Sequence, residues 1–195
     1  MTEYVMDGDD NAMVRYLDRV AATILATPRE PIYRIAQHLH TRYQLGATFI
    51  TCGNGGSAAT ASHFAGDLTK ATRHDQRTPV RALCLNDNMT GLTAWSNDTT
   101  YAQALSEQLK SLGRPGDVFV PISGSGNSPN VLQATVYAKQ HNMLILALTG
   151  SDGGQLAAMA DVAVVVPSDD MPAIEDVHLA ICHVLVNELK ASVAR

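Results

Sequence analysis

Five short apolar segments, each six or seven residues long, recur from residue 47 onward and constrain the fold more than any other feature. None shows the alternation of apolar and polar side chains that marks a half-exposed strand. Continuous apolar runs of this length are typical of strands that are buried on both faces, as in a parallel sheet. The segments read ATFITC, VRALCL, DVFVPI, MLILALT and VAVVVP.

Segments of helical character separate these predicted strands. The order predicts a doubly wound α/β fold, in which helices flank a five-stranded parallel sheet. Two further helices precede the first strand as an N-terminal helical prefix, in which we expect a subunit contact. We predict a single domain over residues 1–195, with N-terminal helices in 1–45 and an α/β core in 47–192. The predicted core helices are 57–70, 99–111, 128–140, 153–159 and 173–192.

Charge and hydropathy argue against several classes of partner. The 195-residue chain has a formal net charge of −5 and no cluster of lysine or arginine, so we expect no nucleic-acid partner. No apolar run approaches the roughly 20 residues of a membrane span, and the acidic N-terminus lacks the pattern of a signal peptide. Cys52, Cys84 and Cys182 lie in apolar segments, so we expect buried free thiols and a reducing, cytoplasmic location.

Two turns rich in glycine and serine follow the first and third predicted strands. One reads GNGGS (53–57) and the other SGSGNS (123–128), and both lead into predicted helices. Ligands of parallel α/β sheets bind beyond the carboxyl ends of the strands. Glycines let backbone N–H groups approach a ligand closely, and a helix N-terminus favours an anion. Hydroxyl donors complete a predicted phosphate-monoester site, which contains Ser57, Ser123, Ser125 and Ser128.

Two other interpretations of these turns stay open. In one, Ser57 and Ser128 only cap the helices that follow. In the other, Gly53, Gly55 and Ala58 form the dinucleotide-binding pattern G-x-G-x-x-G/A. The acid that this pattern needs about 20 residues further on is poorly placed, because Asp87 lies about 30 residues on. No G-K-S/T sequence is present, which excludes a Walker loop.

Histidines and carboxylates occur on two of the predicted helices. His63 and Asp67 are four residues apart and share one helix face, directly after the first turn. Glu175, His178 and His183 lie on the C-terminal helix. Two histidines and two carboxylates suit zinc or a similar divalent ion, and the same groups can act as acid and base. For each histidine, an ordinary hydrogen-bonded position in a helix stays the alternative.

Helix geometry limits how these groups combine. Glu175 and His183 are eight residues apart, which corresponds to about 12 Å of rise and about 80° of rotation. They can therefore serve one centre only by straddling it, or they contribute to different sites or subunits.

Five longer segments of the chain carry a more specific signal. They read CGNGGSAATASHFAGDL, LTAWSND, PGDVFVPISGSGNSPNVLQA, ALTG and IEDVHLAICHVL. Together, from about residue 10 to about residue 190, they resemble the phosphoheptose (sedoheptulose-7-phosphate) isomerase family, a branch of the sugar-isomerase (SIS) domain proteins. The resemblance implies the SIS fold, a homotetramer with active sites near subunit interfaces, and a divalent metal, zinc in many members.

The same resemblance implies which residues bind the substrate. The serines of both turns hold the phosphate, and Asn54 lies beside the sugar. Asn97 and Asp98 match a family motif at the sugar pocket, with loop capping as the alternative. The predicted substrate-binding residues are Asn54, Gly55, Gly56, Ser57, Asn97, Asp98, Ser123, Gly124, Ser125 and Ser128.

Catalytic roles follow from the resemblance in the same way. A first-helix His and Glu of the family fall on His63 and Asp67, and a C-terminal Gln and His fall on Glu175 and His183. Asp67 is then the candidate base and His183 the candidate acid, with Glu175 as an alternative base. The predicted metal ligands are His63, Asp67, Glu175 and His183.

The chain departs from the family pattern at four positions. Asp67 replaces Glu and shortens the candidate base by one methylene, while Glu175 replaces Gln and adds a negative charge that favours a metal. Gly124 replaces a Thr of the second turn, and Asn88 stands where Asp is common. The carboxylate shortened at position 67 is matched by a new carboxylate at position 175. We interpret these two departures as linked, and the chain as a variant that keeps a metal.

We therefore predict an aldose–ketose isomerase that converts sedoheptulose 7-phosphate to a heptose 7-phosphate through an enediol(ate). One rival is a non-catalytic SIS-domain regulator, since some proteins of this fold act as regulators and one type binds the replication initiator DnaA. Another rival is an isomerase of a different phosphosugar. The remaining histidines and carboxylates favour an enzyme.

Overall fold

The computed structural model describes residues 11–71, 73 and 78–193, in which helices and strands alternate. The strands are β1 (Thr48–Cys52), β2 (Arg81–Cys84), β3 (Val118–Ser123), β4 (Leu144–Gly150) and β5 (Val162–Val166). The helices are α1 (Ala12–Ala26), α2 (Arg29–Gln44), α3 (Gly55–Ala71), α4 (Met89–Asp98), α5 (Tyr101–Leu112), α6 (Pro129–Gln140), α7 (Gly154–Met159) and α8 (Met171–Val193).

The five strands form one parallel sheet in the order β2-β1-β3-β4-β5, which confirms the predicted fold class. β1 lies between β2 and β3, and in its register with β3 Phe49 pairs with Val118 and Cys52 with Pro121. All residues of β3 are buried, as are all of β4 after its first residue. The missing alternation in the apolar segments therefore reflects strands that helices cover on both sides.

Helices on the two faces of the sheet form two apolar cores. Helices α2, α3 and α8 pack on one face, where Leu39, Phe64 and Ile181 are among the buried residues. Helices α5, α6 and α7 pack on the other, with Leu105 and Ala134 among the buried residues. The helices that follow β1 and β3 therefore lie on opposite faces of the sheet.

Helix α4 is the one element that the sequence interpretation did not predict among the described residues. Asn88 caps it, because its side-chain oxygen accepts a hydrogen bond from the backbone N–H of Gly91. None of the α4 residues is fully buried, so the helix lacks the apolar stripe by which a packed helix is recognised in a sequence. The departure at position 88 thus retains a capping side chain.

The helical prefix packs onto the C-terminal helix. Tyr16 of α1 donates a hydrogen bond of 2.6 Å to the carboxylate of Asp176 on α8. His40 of α2 lies 2.9 Å from the hydroxyl of Ser192, also on α8. Both prefix helices are therefore tied to the helix that carries Glu175 and His183.

The three cysteines are free and buried, as the sequence predicts. Burial raises the pKa of the Cys52, Cys84 and Cys182 thiols above their usual value. Among the helices of the described ranges, none combines the length and apolar character that a membrane crossing requires.

Asp117 ties the beginnings of the two central strands together, and its replacement tests this part of the fold. Asp117 is 8% exposed, and its carboxylate accepts hydrogen bonds from the backbone N–H groups of Thr48, at 2.8 Å, and Arg114, at 2.9 Å. In Asp117→Asn one of these donors faces an amide NH₂ instead of an oxygen. We expect the free energy of unfolding to fall by about 1–3 kcal/mol.

Urea denaturation measures this loss, and Asp18→Asn, which alters an exposed carboxylate on α1, is the matched control. We expect a loss below about 0.5 kcal/mol for the control. Equal losses in the two variants would show that the Asp117 bonds do not stabilise the sheet.

Candidate active site

The two glycine- and serine-rich turns meet because β1 and β3 are neighbours in the sheet. They enclose a small cavity of about 100 Å³ at the carboxyl ends of these strands. The structure thus brings together six of the ten predicted substrate-binding residues, and the N-terminal part of α8 closes the cavity. Its lining consists of Asn54, Ser57, Ser123, Gly124, Ser125, Ser128, Met171 and Glu175.

The serines are not used as helix caps. Ser128 occupies the N-cap position of α6, but its side chain makes no capping hydrogen bond, and its Oγ lies 3.2 Å from the Oγ of Ser123. Ser57 is the third residue of α3 and so lies beyond the cap position. The capping interpretation is therefore wrong for both residues, and both line the cavity.

Two glycines of the first turn meet different requirements. Gly55 has a φ of +54°, a backbone conformation that residues with a side chain rarely adopt. Gly56 is in contact with the carboxylate of Glu175, and a Cβ at this position would collide with that carboxylate. The first turn of α3 therefore leaves space for a side chain that arrives from α8.

Gly124 has a comparable role in the second turn. A Cβ at this position would collide with the sulfur of Met171, the first residue of α8. Gly124, which replaces a Thr, thus leaves space for the side chain of Met171, which lines the same cavity.

A cluster of two histidines and a carboxylate lies further along α3 and α8. Oδ2 of Asp67 is 3.2 Å from Nε2 of His63 and 3.8 Å from Nε2 of His183. The two Nε2 atoms are 3.5 Å apart. Because the ligand atoms of the three residues all lie within 4.8 Å of one another, one cation can contact all of them. Two imidazole nitrogens and a carboxylate oxygen are a donor set that suits zinc.

Glu175, the fourth predicted ligand, lies outside this cluster. Its carboxylate is in contact with Gly56 in the serine-lined cavity. The separation of eight residues along α8 places Glu175 and His183 more than two turns apart. Asp67 and His183 instead open onto a cleft of about 470 Å³, which Lys70, Arg73, Asn187 and Lys190 also line.

His178 belongs to the core and to neither cavity. It is fully buried, and its Nε2 lies 2.9 Å from the backbone carbonyl oxygen of Thr149 at the end of β4. Among the described residues its Nδ1 has no hydrogen-bond partner. Burial lowers the pKa of His178 from 6.5 to about 4. The ordinary interpretation, a hydrogen-bonded helix residue, is therefore correct for His178, which is also buried.

Asn97 and Asp98 lie away from the serine-lined cavity in this chain. They are the last two residues of α4, and the amide of Asn97 donates a hydrogen bond of 3.0 Å to the carboxylate of Asp98. Neither residue lines the cavity. Their assignment to the sugar pocket stays a prediction.

Three polar residues that the sequence interpretation overlooked hold the first turn in place. The amide of Asn86 donates to the carbonyl oxygen of Gly53 and accepts from its N–H, both at 3.0 Å. The side chains of Asn130 and Tyr101 both contact Asn54. No local pattern reveals these contacts, because the partners are separated by between 33 and 76 residues.

Comparisons with known proteins agree with this architecture. The SIS domain family model matches residues 13–150. The phosphoheptose isomerase of Paramagnetospirillum magneticum is 36% identical over 185 residues, which cover 95% of both chains. That of Aromatoleum aromaticum is 44% identical over 139 residues, 70% of both chains. The solved structure of the phosphoheptose isomerase from Neisseria gonorrhoeae superposes with a TM-score of 0.85 at 34% identity, covering 92% of this chain and 96% of that one.

The low pKa of His178 predicts a specific dependence of stability on pH. Between about pH 6.5 and about pH 4 the unfolded chain binds a proton at this histidine that the folded protein excludes. The contribution of the neutral His178 to the free energy of unfolding is therefore fully present above about pH 6.5 and is lost as the pH falls toward 4. The complete shift corresponds to about 3 kcal/mol.

His178→Gln retains an amide donor for the Thr149 carbonyl oxygen but does not titrate. The stability advantage of the wild-type protein over this variant should therefore shrink as the pH falls from about 7 to about 4.5. Urea unfolding of both proteins at each pH measures the difference in their free energies of unfolding. The titration of carboxylates that both proteins share cancels from this difference. Parallel stability curves would contradict a neutral, buried His178.

Proposed function

The chain belongs to the phosphoheptose isomerase family of the SIS domain proteins, and we propose that it converts sedoheptulose 7-phosphate to D-glycero-D-manno-heptose 7-phosphate. Because the chain belongs to this family, it is an aldose–ketose isomerase of phosphosugars. One observation carries the proposal of a particular substrate. A hydroxyl-lined cavity and a His–Asp cluster follow one another along the same two helices, α3 and α8.

The spacing along α3 matches the length of the proposed substrate. His63 follows Ser57 by six residues, so its Cα lies about 9 Å further along the helix axis. An open-chain heptose 7-phosphate has eight single bonds between phosphorus and C1, which span about 9 Å when extended. A phosphate at the serines therefore brings C1 and C2 to the level of the cluster.

The donors at the phosphate end are neutral hydroxyl groups, and the carboxylate of Glu175 lines the same cavity. Ser57, Ser123, Ser125 and Ser128 supply hydroxyl groups, and the N-terminus of α6 adds the positive end of a helix dipole. Because the phosphate is remote from the reacting carbons, its binding energy positions the other end of the sugar.

The reaction moves one proton between two neighbouring carbons. The base removes a proton from C1 of the ketose, the electron pair forms the C1–C2 double bond, and an acid protonates the C2 oxygen. The proton then returns to C2, and the C1 hydroxyl loses its proton as the aldehyde forms. We assign Asp67 as the base and His183 as the acid, because they lie within 3.8 Å of each other on facing helices.

His63, Asp67 and His183 would hold a divalent ion, and zinc fits their donor set best. Such an ion, when bound, polarises the substrate carbonyl and stabilises developing negative charge. We keep Glu175 as the proposed fourth ligand; its carboxylate lies against Gly56 outside the cluster, so this role requires it to move toward the two histidines. A carboxylate that binds a metal is a weaker base than a free one, and an imidazole nitrogen that binds a metal carries no proton. Asp67 and His183 therefore act as base and acid only while they are not ligands, and Glu175 is the alternative base if Asp67 serves only as a ligand.

We also propose that the chain acts as a homotetramer. Large apolar side chains stay exposed on the helical prefix, among them Leu17, Leu25, which is 73% exposed, and Tyr33. An apolar groove of about 340 Å³ between the prefix and α8 adjoins them. Exposed apolar surface of this kind marks protein interfaces.

We propose further that the prefix (1–45) and the core (47–192) act as one domain. The free thiols are consistent with the reducing conditions of the cytoplasm.

The first experiment measures turnover directly. Protein treated with a chelator is incubated with sedoheptulose 7-phosphate, with and without added zinc, and the aldose is followed by NMR. We expect aldose with zinc and at least about tenfold slower turnover without it, since the ion stabilises the enediolate. His63→Ala should remove zinc binding and activity together, whereas His141→Gln, at an exposed histidine outside the site, should remove neither.

Absence of aldose from a folded, zinc-loaded wild-type protein would overturn the proposed substrate. Turnover of another phosphosugar by the same protein would show that it is a phosphosugar isomerase with a different substrate.

A second experiment separates the two candidate bases. If Asp67 removes the C1 proton, Asp67→Asn should lower kcat by at least about a thousandfold, while Glu175→Gln lowers it by less than about tenfold. Exchange of the C1 proton with solvent deuterium, followed by NMR, reports the same step without depending on product release. Near-native exchange in Asp67→Asn together with loss of exchange in Glu175→Gln would move the base to Glu175.

A further inference from the structure

Asn54 and Asn130 form a reciprocal pair that joins the two turns of the site. Nδ2 of Asn54 donates to Oδ1 of Asn130, and Nδ2 of Asn130 donates to Oδ1 of Asn54, each at 2.8 Å. Asn130 is 2% exposed and lies in the first turn of α6, directly after the second turn. The pair therefore links position 54 to a rigid, buried part of the fold.

The backbone determines the orientation of both amides. The N–H of Val131 lies 3.0 Å from the Asn130 side chain and can only donate, so the atom that faces it must be the carbonyl oxygen. That oxygen also faces Asn54, which must present its NH₂ group to it. The hydroxyl of Tyr101 then donates to Oδ1 of Asn54 at 2.7 Å. Neither amide can be reversed without placing two donors or two acceptors together.

This orientation leaves Asn54 a single role toward a ligand. Its oxygen already accepts two hydrogen bonds, from Asn130 and Tyr101, which fill its two lone pairs. Its nitrogen uses one hydrogen for Asn130, and no described residue accepts the other. Asn54 lines the serine cavity. It can therefore donate to a ligand in that cavity but cannot accept from one.

We propose that Asn130 is a positioning residue that holds Asn54 as a donor for a hydroxyl oxygen of the bound phosphosugar. Asn130 does not touch the ligand and acts through Asn54, and Tyr101 supports the same orientation from the opposite side. The site thereby favours a sugar oxygen, which can accept, over an ammonium group, which can only donate, at this point. The inference rests on the proposed function only in taking a sugar phosphate as the ligand.

The decisive variant is Asn130→Asp, which is nearly isosteric. The new carboxylate still accepts from Val131, and a negative charge in the first turn of a helix is favourable, so the variant should fold. It places an oxygen where Asn130 donated to Oδ1 of Asn54, and the resulting repulsion displaces Asn54. For the isomerase reaction we expect KM to rise about threefold to tenfold with kcat within about twofold, because Asn54 lies at the phosphate end.

A double-mutant cycle separates positioning from a structural role. The ligand is the heptitol 7-phosphate obtained by reducing sedoheptulose 7-phosphate, which keeps the hydroxyl oxygens but cannot isomerise, and calorimetry measures its Kd. We expect Asn54→Ala and Asn130→Asp each to weaken binding about threefold to tenfold, and the double variant to bind like Asn54→Ala alone. Additive losses would overturn the proposal.

Two further variants guard against misfolding. Tyr101→Phe changes a residue that is 52% exposed, so it should fold normally, and we expect it to weaken binding about twofold to fivefold in wild-type protein but not in Asn54→Ala. Thr135→Val alters a buried hydroxyl on the same helix, which within the described part of the chain donates to the carbonyl oxygen of Val131, and should leave Kd unchanged. If Thr135→Val weakened binding as much as Asn130→Asp does, the loss in Asn130→Asp would be explained by general destabilisation of α6 and the proposal would be overturned.

The outcomes also distinguish this inference from the proposed function. Wild-type protein that binds the heptitol phosphate but does not isomerise the ketose would refute the proposed reaction, and the cycle would still decide the role of Asn130. Wild-type protein that binds no heptitol phosphate would refute both.

Discussion

The adjacency of β1 and β3 is the constraint on which the rest of the site depends. After β1 the chain forms β2 at one edge of the sheet and then returns to β3 on the other side of β1. Helix α3, which follows β1, therefore lies on one face, and α6, which follows β3, lies on the other. The two strand ends separate into a crevice at this point, where parallel α/β sheets bind their ligands. Both serine-rich turns lie at its edges.

The pairing of α3 with α8 divides the site into two chemical regions. Near the helix N-termini, hydroxyl groups and short glycine backbone surround a small polar cavity. About two to three turns further along α3, His63 and Asp67 meet His183. Neutral donors suit a phosphate, whereas imidazole and carboxylate suit a cation and proton transfer. Their separation by about 9 Å of helix rise lets a single open-chain sugar phosphate reach both.

Buried and half-buried side-chain amides, rather than ion pairs, hold the turns in position. Asn86 bonds both backbone groups of Gly53, and Asn130 bonds both ends of the Asn54 amide. An amide offers a donor and an acceptor without a net charge, so it can be buried at lower cost than a carboxylate. It also has a defined polarity, which a neighbouring backbone N–H can set. Such contacts therefore determine both the shape of the turn and the kind of atom it presents.

The sequence by itself determined the sheet, the two turns and the relation to the phosphoheptose isomerases. Apolar runs and glycine–serine clusters are local patterns, and local backbone preferences decide them. Local pattern also placed His63 and Asp67 on one face of a helix. Only the tertiary structure decided that His183 joins them while Glu175 lies against Gly56, that His178 is buried in the core, and that Asn130 orients Asn54. These outcomes depend on the angle and register between elements distant in the chain, which arise from packing and leave no trace in the spacing of residues along one segment.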